Sequence, residues 1–490
     1  MDSGRGESVL ERPSTFWLVA GLIAVLWAIT NLPWQLDDYD QAKQAFTSFE
    51  MVEEGNWFYQ HTPNEKIATK PPLVGWVSAA VYAVTRSWEL AWRLPPFAAG
   101  VLLLVLLMRS ATRASGAAAG LLAFGAFGLN LLSPRLATLV RTDMPLALVV
   151  FLLGLTIWRK VRTGERWENR DRWAMFALLT AAMLVKGPIV YAFLLPGIVI
   201  FQWWRRGAGA SGRAWCGWWP WVLSLVVFCA WSAGGIAFVP GFYEEVVLKE
   251  FAGRFGDTVH RSQPFYFYFP HLLHKFAPWS VLLLLLAAIA WRAEKLQLRD
   301  RWRRLPPEVA WLIFWSLGGL VLMSLIPSKR VDRIFPVIPP LCLLLAAQFR
   351  STEQTPPLRR WAFIALVFAG VFTSGYAGHK IFTGYRDERG ALVDFAAAVR
   401  AEAAAKNWRY GVVGGKEEGL LLYLRRTRFL KAAPAIEQWN AGALEAVVVP
   451  AEQAPQLLAA LPNAVEAGLA GTITVNRQPR RYLLLKRARD

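Results

Sequence analysis

The sequence predicts a mainly α, polytopic membrane protein: a helical bundle of about 11–13 spans followed by a small soluble α/β domain. Three observations carry that expectation. Of the 490 residues, 55% are hydrophobic and only 18% are charged. Apolar stretches long enough to cross a ~30 Å hydrocarbon layer recur from the N-terminus to about residue 380. Beyond residue 385 the pattern changes, and Ala-rich helical stretches alternate with short β-type runs at 410–413, 446–449 and 481–485.

Taken in order, spans are expected near 16–33, 94–108, 116–132, 144–158, 174–185, 188–204, 218–238, 276–292, 309–326, 334–349 and 361–377. The first follows an N-terminus that carries acids as well as Arg5 and Arg12 and lacks a small-residue cleavage site, so it reads as a retained span. Basic clusters at Arg109/Arg113, Arg159/Lys160/Arg162/Arg166, Arg205/Arg206/Arg213, 292–304 and Arg350/Arg359/Arg360 alternate with loops poorer in Lys and Arg. The positive-inside rule then assigns those clusters, and the N-terminus, to the cytoplasm. For all of them to share one side, residues 73–84, which follow Lys70-Pro71-Pro72, must form a re-entrant or interfacial helix and not a full crossing. Two domains result: a membrane module over 1–380, with outer loops 34–72, 133–143, 240–275 and 327–333, and an accessory domain over 385–490 on the outer side.

The formal charge of +19 does not indicate a nucleic-acid partner, because the basic residues sit in short loops between apolar spans and form neither one helix face nor a tail. Cys216, Cys229 and Cys342 all fall in expected spans, and no CxxC or His/Cys cluster is present, so neither a disulfide framework nor a zinc site is indicated. No internal repeat stands out, which disfavours transporters built from duplicated halves.

The chemistry-bearing residues gather in the outer loops. Asp38-Tyr39-Asp40 follows the first span, where a carboxylate stands at the membrane surface between lipid headgroups and water. It reads either as a solvated helix start or as a general base that takes the proton of an attacking hydroxyl or amine. Asp143, in Arg141-Thr142-Asp143-Met144-Pro145, opens a span and could cap it, join Asp40 in the chemistry, or do both. Lys70, Lys186, Lys329 and the pair His260-Arg261 put cations at outer span ends. Singly such cations snorkel to lipid phosphates; as a set they suit a phosphate leaving group whose negative charge grows in the transition state. The aromatic run 265–269 reads as a headgroup belt or a sugar-stacking surface.

The order of these motifs resembles the GT-C superfamily of integral-membrane glycosyltransferases, notably the bacterial lipid A aminoarabinose transferases and the protein O-mannosyltransferases. The resemblance covers roughly residues 15–350 and rests on Asp40 followed by Gly55-Asn56-Trp57, Lys70-Pro-Pro, Thr142-Asp143-Met144-Pro145, Lys186-Gly187, His260-Arg261 with Gln263-Pro-Phe-Tyr, and Ser328-Lys329. It implies that Asp40 is the catalytic acid after the first span, Lys43 a basic residue one turn later and Asp143 the second-loop acid, with Lys70, Lys186 and Arg261 on the phosphate side. Lys43, His260 and Lys329 join the donor-phosphate group. The chain departs from the pattern at Gln41, where the family often has Glu, and at Thr69, where aminoarabinose transferases carry a metal-binding Glu, so no metal site and no firm cofactor are expected.

The expectation from sequence is therefore an inverting glycosyltransferase of the bacterial inner membrane. A polyprenyl-phosphate sugar would be the donor and a lipid, glycan or protein the acceptor, with membrane lipids around the bundle. A lipid-linked-sugar flippase, or a non-catalytic lipid-binding scaffold, are the competing readings. The flippase ranks lower because its ionisable residues would line a midplane path, whereas these sit at span ends.

Overall fold

The structure is a computed structural model and describes residues 9–36, 39–208, 212–255, 262–293, 303–352, 356–387, 391–414, 417–475 and 478–488. Its helices in chain order are α1 (Pro13–Ile29), α2 (Tyr39–Glu54), α3 (Leu73–Thr85), α4 (Trp88–Ser115), α5 (Ala117–Gly128), α6 (Ser133–Ala137), α7 (Asp143–Thr163), α8 (Asn169–Lys186), α9 (Ile189–Ala208), α10 (Trp219–Phe238), α11 (Tyr268–Lys275) and α12 (Trp279–Ala293). They continue with α13 (Pro307–Leu325), α14 (Ile338–Thr352), α15 (Pro356–Arg386), α16 (Ala391–Ala405), α17 (Glu418–Tyr423), α18 (Ala432–Asn440) and α19 (Ala454–Ala460). The strands are β1 (His61–Thr62), β2 (Lys66–Ile67), β3 (Tyr410–Val412), β4 (Ala446–Pro450), β5 (Ala464–Val475) and β6 (Gln478–Arg487).

Each expected span coincides with a helix, but the number able to cross alone is smaller. Among the described residues six helices are long and apolar enough to span a bilayer, and a seventh if the sharply bent pair α11 and α12 counts as one. The chain is a multi-pass membrane protein on that ground. The gap from the 11–13 expected has a physical origin. The helices α1 and α5 are 17 and 12 residues long, short of the ~20 that a crossing needs, and α8 opens with Arg170, Asp171 and Arg172. Helix α3, with 13 residues, is about 20 Å long by helical rise and does not reach across by itself.

The contacts divide the chain into two compact units, the first comprising Met1–Thr30, Thr69–Val74 and Arg93–Gly378, the second Asn31–Ala68, Gly75–Trp92 and His379–Asp490. The first unit is the helical bundle. Its core is close-packed by small residues: a Cβ on Gly318 of α13 would stand 2.7 Å from the Gly197 nitrogen of α9, so the two helices meet backbone to backbone. Gly154 of α7 leaves room for the Trp315 ring, and the indoles of Trp311, Trp27 and Trp279 donate to the carbonyls of Gly154, Gly128 and Leu129 at 3.1, 3.0 and 2.8 Å. Buried tryptophans are tolerated in such a core because each N–H finds an acceptor.

The second unit joins the loop 34–68 to the C-terminal residues. Its four-stranded sheet runs β3-β4-β6-β5. β3 lies parallel to β4, while β4 with β6 and β6 with β5 are antiparallel, the last with a bulge between Glu466 and Ala470. Trp439, Val447 and Leu485 form its core. The loop is bound into the unit by backbone groups: the Asn64 amide and the Phe429 main chain exchange bonds of 2.9 and 3.2 Å, and the Leu392 N–H donates to Gln35 Oε1 at 3.1 Å.

Candidate active site

In the first unit the site grows from the N-terminal end of α7. Asp143 is its first residue, and Thr142 before it makes no side-chain cap. The Asp143 carboxylate does not cap the helix; it accepts a 2.5 Å hydrogen bond from Lys186, the last residue of α8. Both side chains are 9% exposed, so this is a buried ion pair. Two further cations, Arg141 and Lys70, lie within electrostatic reach of the same carboxylate.

Arg141 links this pair to a second acid. Its guanidinium donates to Asp332 at 2.9 Å, and Arg135 on α6 donates to the other oxygen of Asp332 at 3.3 Å. Lys275, ending α11, is in the field of both Arg135 and Asp332. Among the described residues five cations thus surround two carboxylates, an arrangement suited to an anion. Tyr268, fully buried, lies within the fields of Asp143 and of Arg333. Lys329 is 6% exposed and donates to the Gln263 carbonyl at 2.9 Å. Burial holds its ammonium below the usual lysine range. Arg333 is fixed by the carbonyl and hydroxyl of Ser328 at 2.7 and 3.1 Å.

In the second unit Asp40 is half-buried in the first turn of α2, where a carboxylate is favoured by the helix dipole, and Lys43 follows one turn later, also half-buried. Of the residues expected from sequence, the structure joins Asp143 with Lys186 and brings Lys70 near them; Asp40 and Lys43 share α2. His260 and Arg261 lie outside the described residues. The sequence reading missed Arg135 and Asp332. A signal existed for Asp332: it is the one acid in the basic string Lys329-Arg330-Val331-Asp332-Arg333. Among the described residues no three His, Cys, Asp or Glu side chains are grouped to hold a metal ion.

The fold has counterparts among solved structures. Its structure superposes on ArnT from Cupriavidus metallidurans bound to undecaprenyl phosphate with a TM-score of 0.67 at 19% identity, over 95% of this chain and 97% of that one. This is the GT-C fold. A profile described as dolichyl-phosphate-mannose-protein mannosyltransferase matches residues 69–233. The chain is similar to an undecaprenyl phosphate-alpha-4-amino-4-deoxy-L-arabinose arabinosyl transferase of Sodalis glossinidius, at 28% identity over 70% of this chain and 60% of the relative. It is also similar to the enzyme of that name from Shewanella sediminis, at 26% identity over 69% and 62% of the two chains. The matched region thus spans about three fifths of the length of these relatives.

Proposed function

We propose that this GT-C protein is a glycosyltransferase that moves a sugar from a polyprenyl-phosphate donor to an acceptor at the periplasmic face of a bacterial inner membrane. The observation that carries the reading is the excess of cations over carboxylates around Asp143 and Asp332, at a bundle end where a lipid phosphate would arrive. The relatives' printed names, with undecaprenyl phosphate in each, support a lipid-linked donor.

In this reading Lys186, Lys70 and Arg141 hold the donor phosphate and stabilise the charge that grows on it as the glycosidic bond to phosphate breaks. Asp143 orients Lys186. Lys329 and the pair His260-Arg261 add positive charge on the phosphate side. Asp40 takes the proton of the acceptor as it attacks the anomeric carbon, and Lys43 on the next turn of α2 adds positive charge on the phosphate side. Displacement in one step inverts the anomeric centre. The reading needs no cofactor. The N-terminus is cytoplasmic and residues 385–490 are periplasmic; a cytoplasmic signal from a reporter fused after Arg86 would break that threading.

Purified protein in detergent, given a polyprenyl-phosphate sugar and an acceptor lipid, should release polyprenyl phosphate. A flippase would consume nothing under those conditions. Asp40→Asn should remove transfer while the melting temperature stays the same, and a fully active variant would eliminate Asp40 as the base.

A further inference from the structure

The proposed chemistry uses Asp143, Lys186 and Arg141 but gives Asp332 no part. Asp332 is 6% exposed, and its two carboxylate oxygens accept from different guanidiniums. Oδ2 accepts from Arg141 at 2.9 Å and Oδ1 from Arg135 at 3.3 Å. A carboxylate often meets a single arginine with both oxygens, fork to fork. Shared between two, it fixes where the guanidiniums stand relative to each other.

The three residues come from three segments of the first unit, and other bonds already hold each backbone. Arg135 rides on α6, whose start is fixed by Asn130: its Oδ1 accepts from the Leu132 and Ser133 N–H groups, each at 2.9 Å, and its amide donates to the Phe127 carbonyl at 2.8 Å. Arg141 stands in the turn between α6 and α7. There Arg93 of α4 donates to the Thr138 carbonyl at 3.1 Å, and the Arg141 N–H bonds the Leu139 carbonyl at 2.8 Å. Asp332 lies in the 3-10 segment Val331–Val337, beside Arg333, which Ser328 holds. Burying a carboxylate among guanidiniums brings little net stability over apolar residues of similar volume. What the ion pairs add to these fixed segments is the placement of side chains.

We propose that Asp332 is a positioning residue for the transfer: braced by Arg135, it holds the Arg141 guanidinium where that group meets the donor phosphate. The inference rests on the reading that Arg141 and Lys186 bind this phosphate. In this role Asp332 touches neither the substrate nor the reacting atoms. Placement and charge predict opposite signs when the carboxylate is removed. Loss of a negative charge beside cations strengthens their attraction for a phosphate, so charge alone lowers donor KM and leaves kcat unchanged. Loss of placement lowers kcat, because a misplacement of about 1 Å costs up to about 100-fold.

The test compares Asp332→Asn, Asp332→Glu and Arg135→Met in the full-length protein with a polyprenyl-phosphate sugar, with rates normalised to folded protein. Asp332→Asn should lose about 30-fold in kcat while donor KM does not rise. Asp332→Glu keeps the charge but moves it by one methylene, and its kcat should stay at least about 5-fold below wild type. Arg135→Met leaves Asp332 paired with Arg141 but unbraced, and should lose about 3-fold in kcat. A wild-type kcat in Asp332→Asn, or full recovery in Asp332→Glu, overturns the proposal. So does a loss confined to the amount of folded protein. If Asp332→Asn does not fold, the other two variants decide, and a wild-type kcat in both overturns the idea. Binding of polyprenyl phosphate, followed by thermal shift, keeps the two readings apart. If Lys186→Met binds it as the wild type does, the phosphate reading fails and the inference falls with it. If Lys186→Met binds it more weakly while Asp332→Asn turns over like the wild type, this inference alone is defeated.

Discussion

Helices α7 and α8 are tied by a buried Lys–Asp pair at each end, and the two pairs differ in what surrounds them. At one end Lys160 of α7 bonds Asp171 of α8 at 2.7 Å, and its ammonium is also bound by Glu165 and the Arg166 carbonyl, at 3.3 and 3.1 Å. At the other end Lys186 of α8 bonds Asp143 of α7 at 2.5 Å, with Arg141 and Lys70 close by. The first ammonium has two carboxylates and a carbonyl around it, so its charge is answered within the protein. Among the described residues the second pair has more cations than acids around it. The same two residue types between the same two helices thus make a closed structural clasp at one end and an anion-seeking cluster at the other. The surroundings of the pair, more than the pair itself, separate structure from chemistry.

The sharpest way to break this contrast is to remove one lysine from each end. Lys186→Met should lower turnover by on the order of 100-fold or more, the scale of losing a preorganised donor to a developing anion. Lys160→Met should leave turnover per folded molecule near wild type. Initial rates normalised to folded protein decide it, and equal losses at both ends would erase the distinction. Exchanging partners comes next. The double variant Lys160→Asp/Asp171→Lys should fold and work, because that clasp needs only opposite charges. Asp143→Lys/Lys186→Asp should fold and fail, because a carboxylate would then stand where the donor phosphate is held. Stability gives a smaller effect in the opposite sense: Lys160→Met leaves the Asp171 carboxylate with Arg159 at 3.2 Å and the Glu168 N–H at 3.1 Å to answer it. A loss of about 3 kcal/mol is expected from breaking such a pair, read as a lower melting temperature.

How much of this the sequence foretold follows from the range of each interaction. The helices were legible because apolar length is a local property, and α2 was legible from the pattern after the first span. Strand β5 was not: Ala464–Val475 contains Glu466, Gly468 and Gly471 and bends at a bulge, so it shows no apolar run. Asp143 and Lys186 could each be picked out singly, but their contact spans 43 residues. Arg135 and Asp332, 197 residues apart, form a bond that no local pattern encodes.

The finest test of the open end concerns Lys329. Burial lowers its ammonium pKa, so its positive charge is present below that value and is lost as the pH rises through it, earlier than for a lysine in water. If Lys329 adds to the field that holds the donor phosphate, the donor KM should climb over a pH interval below the ordinary lysine range. Lys329→Arg keeps the charge throughout that interval, because a guanidinium stays protonated, and should flatten the rise. The expected change is about 3-fold in KM, small because one cation among several is lost and the Gln263 carbonyl still holds the side chain. The same alkaline limb in wild type and Lys329→Arg would show that Lys329 belongs with Lys160, among the cations that only support the fold.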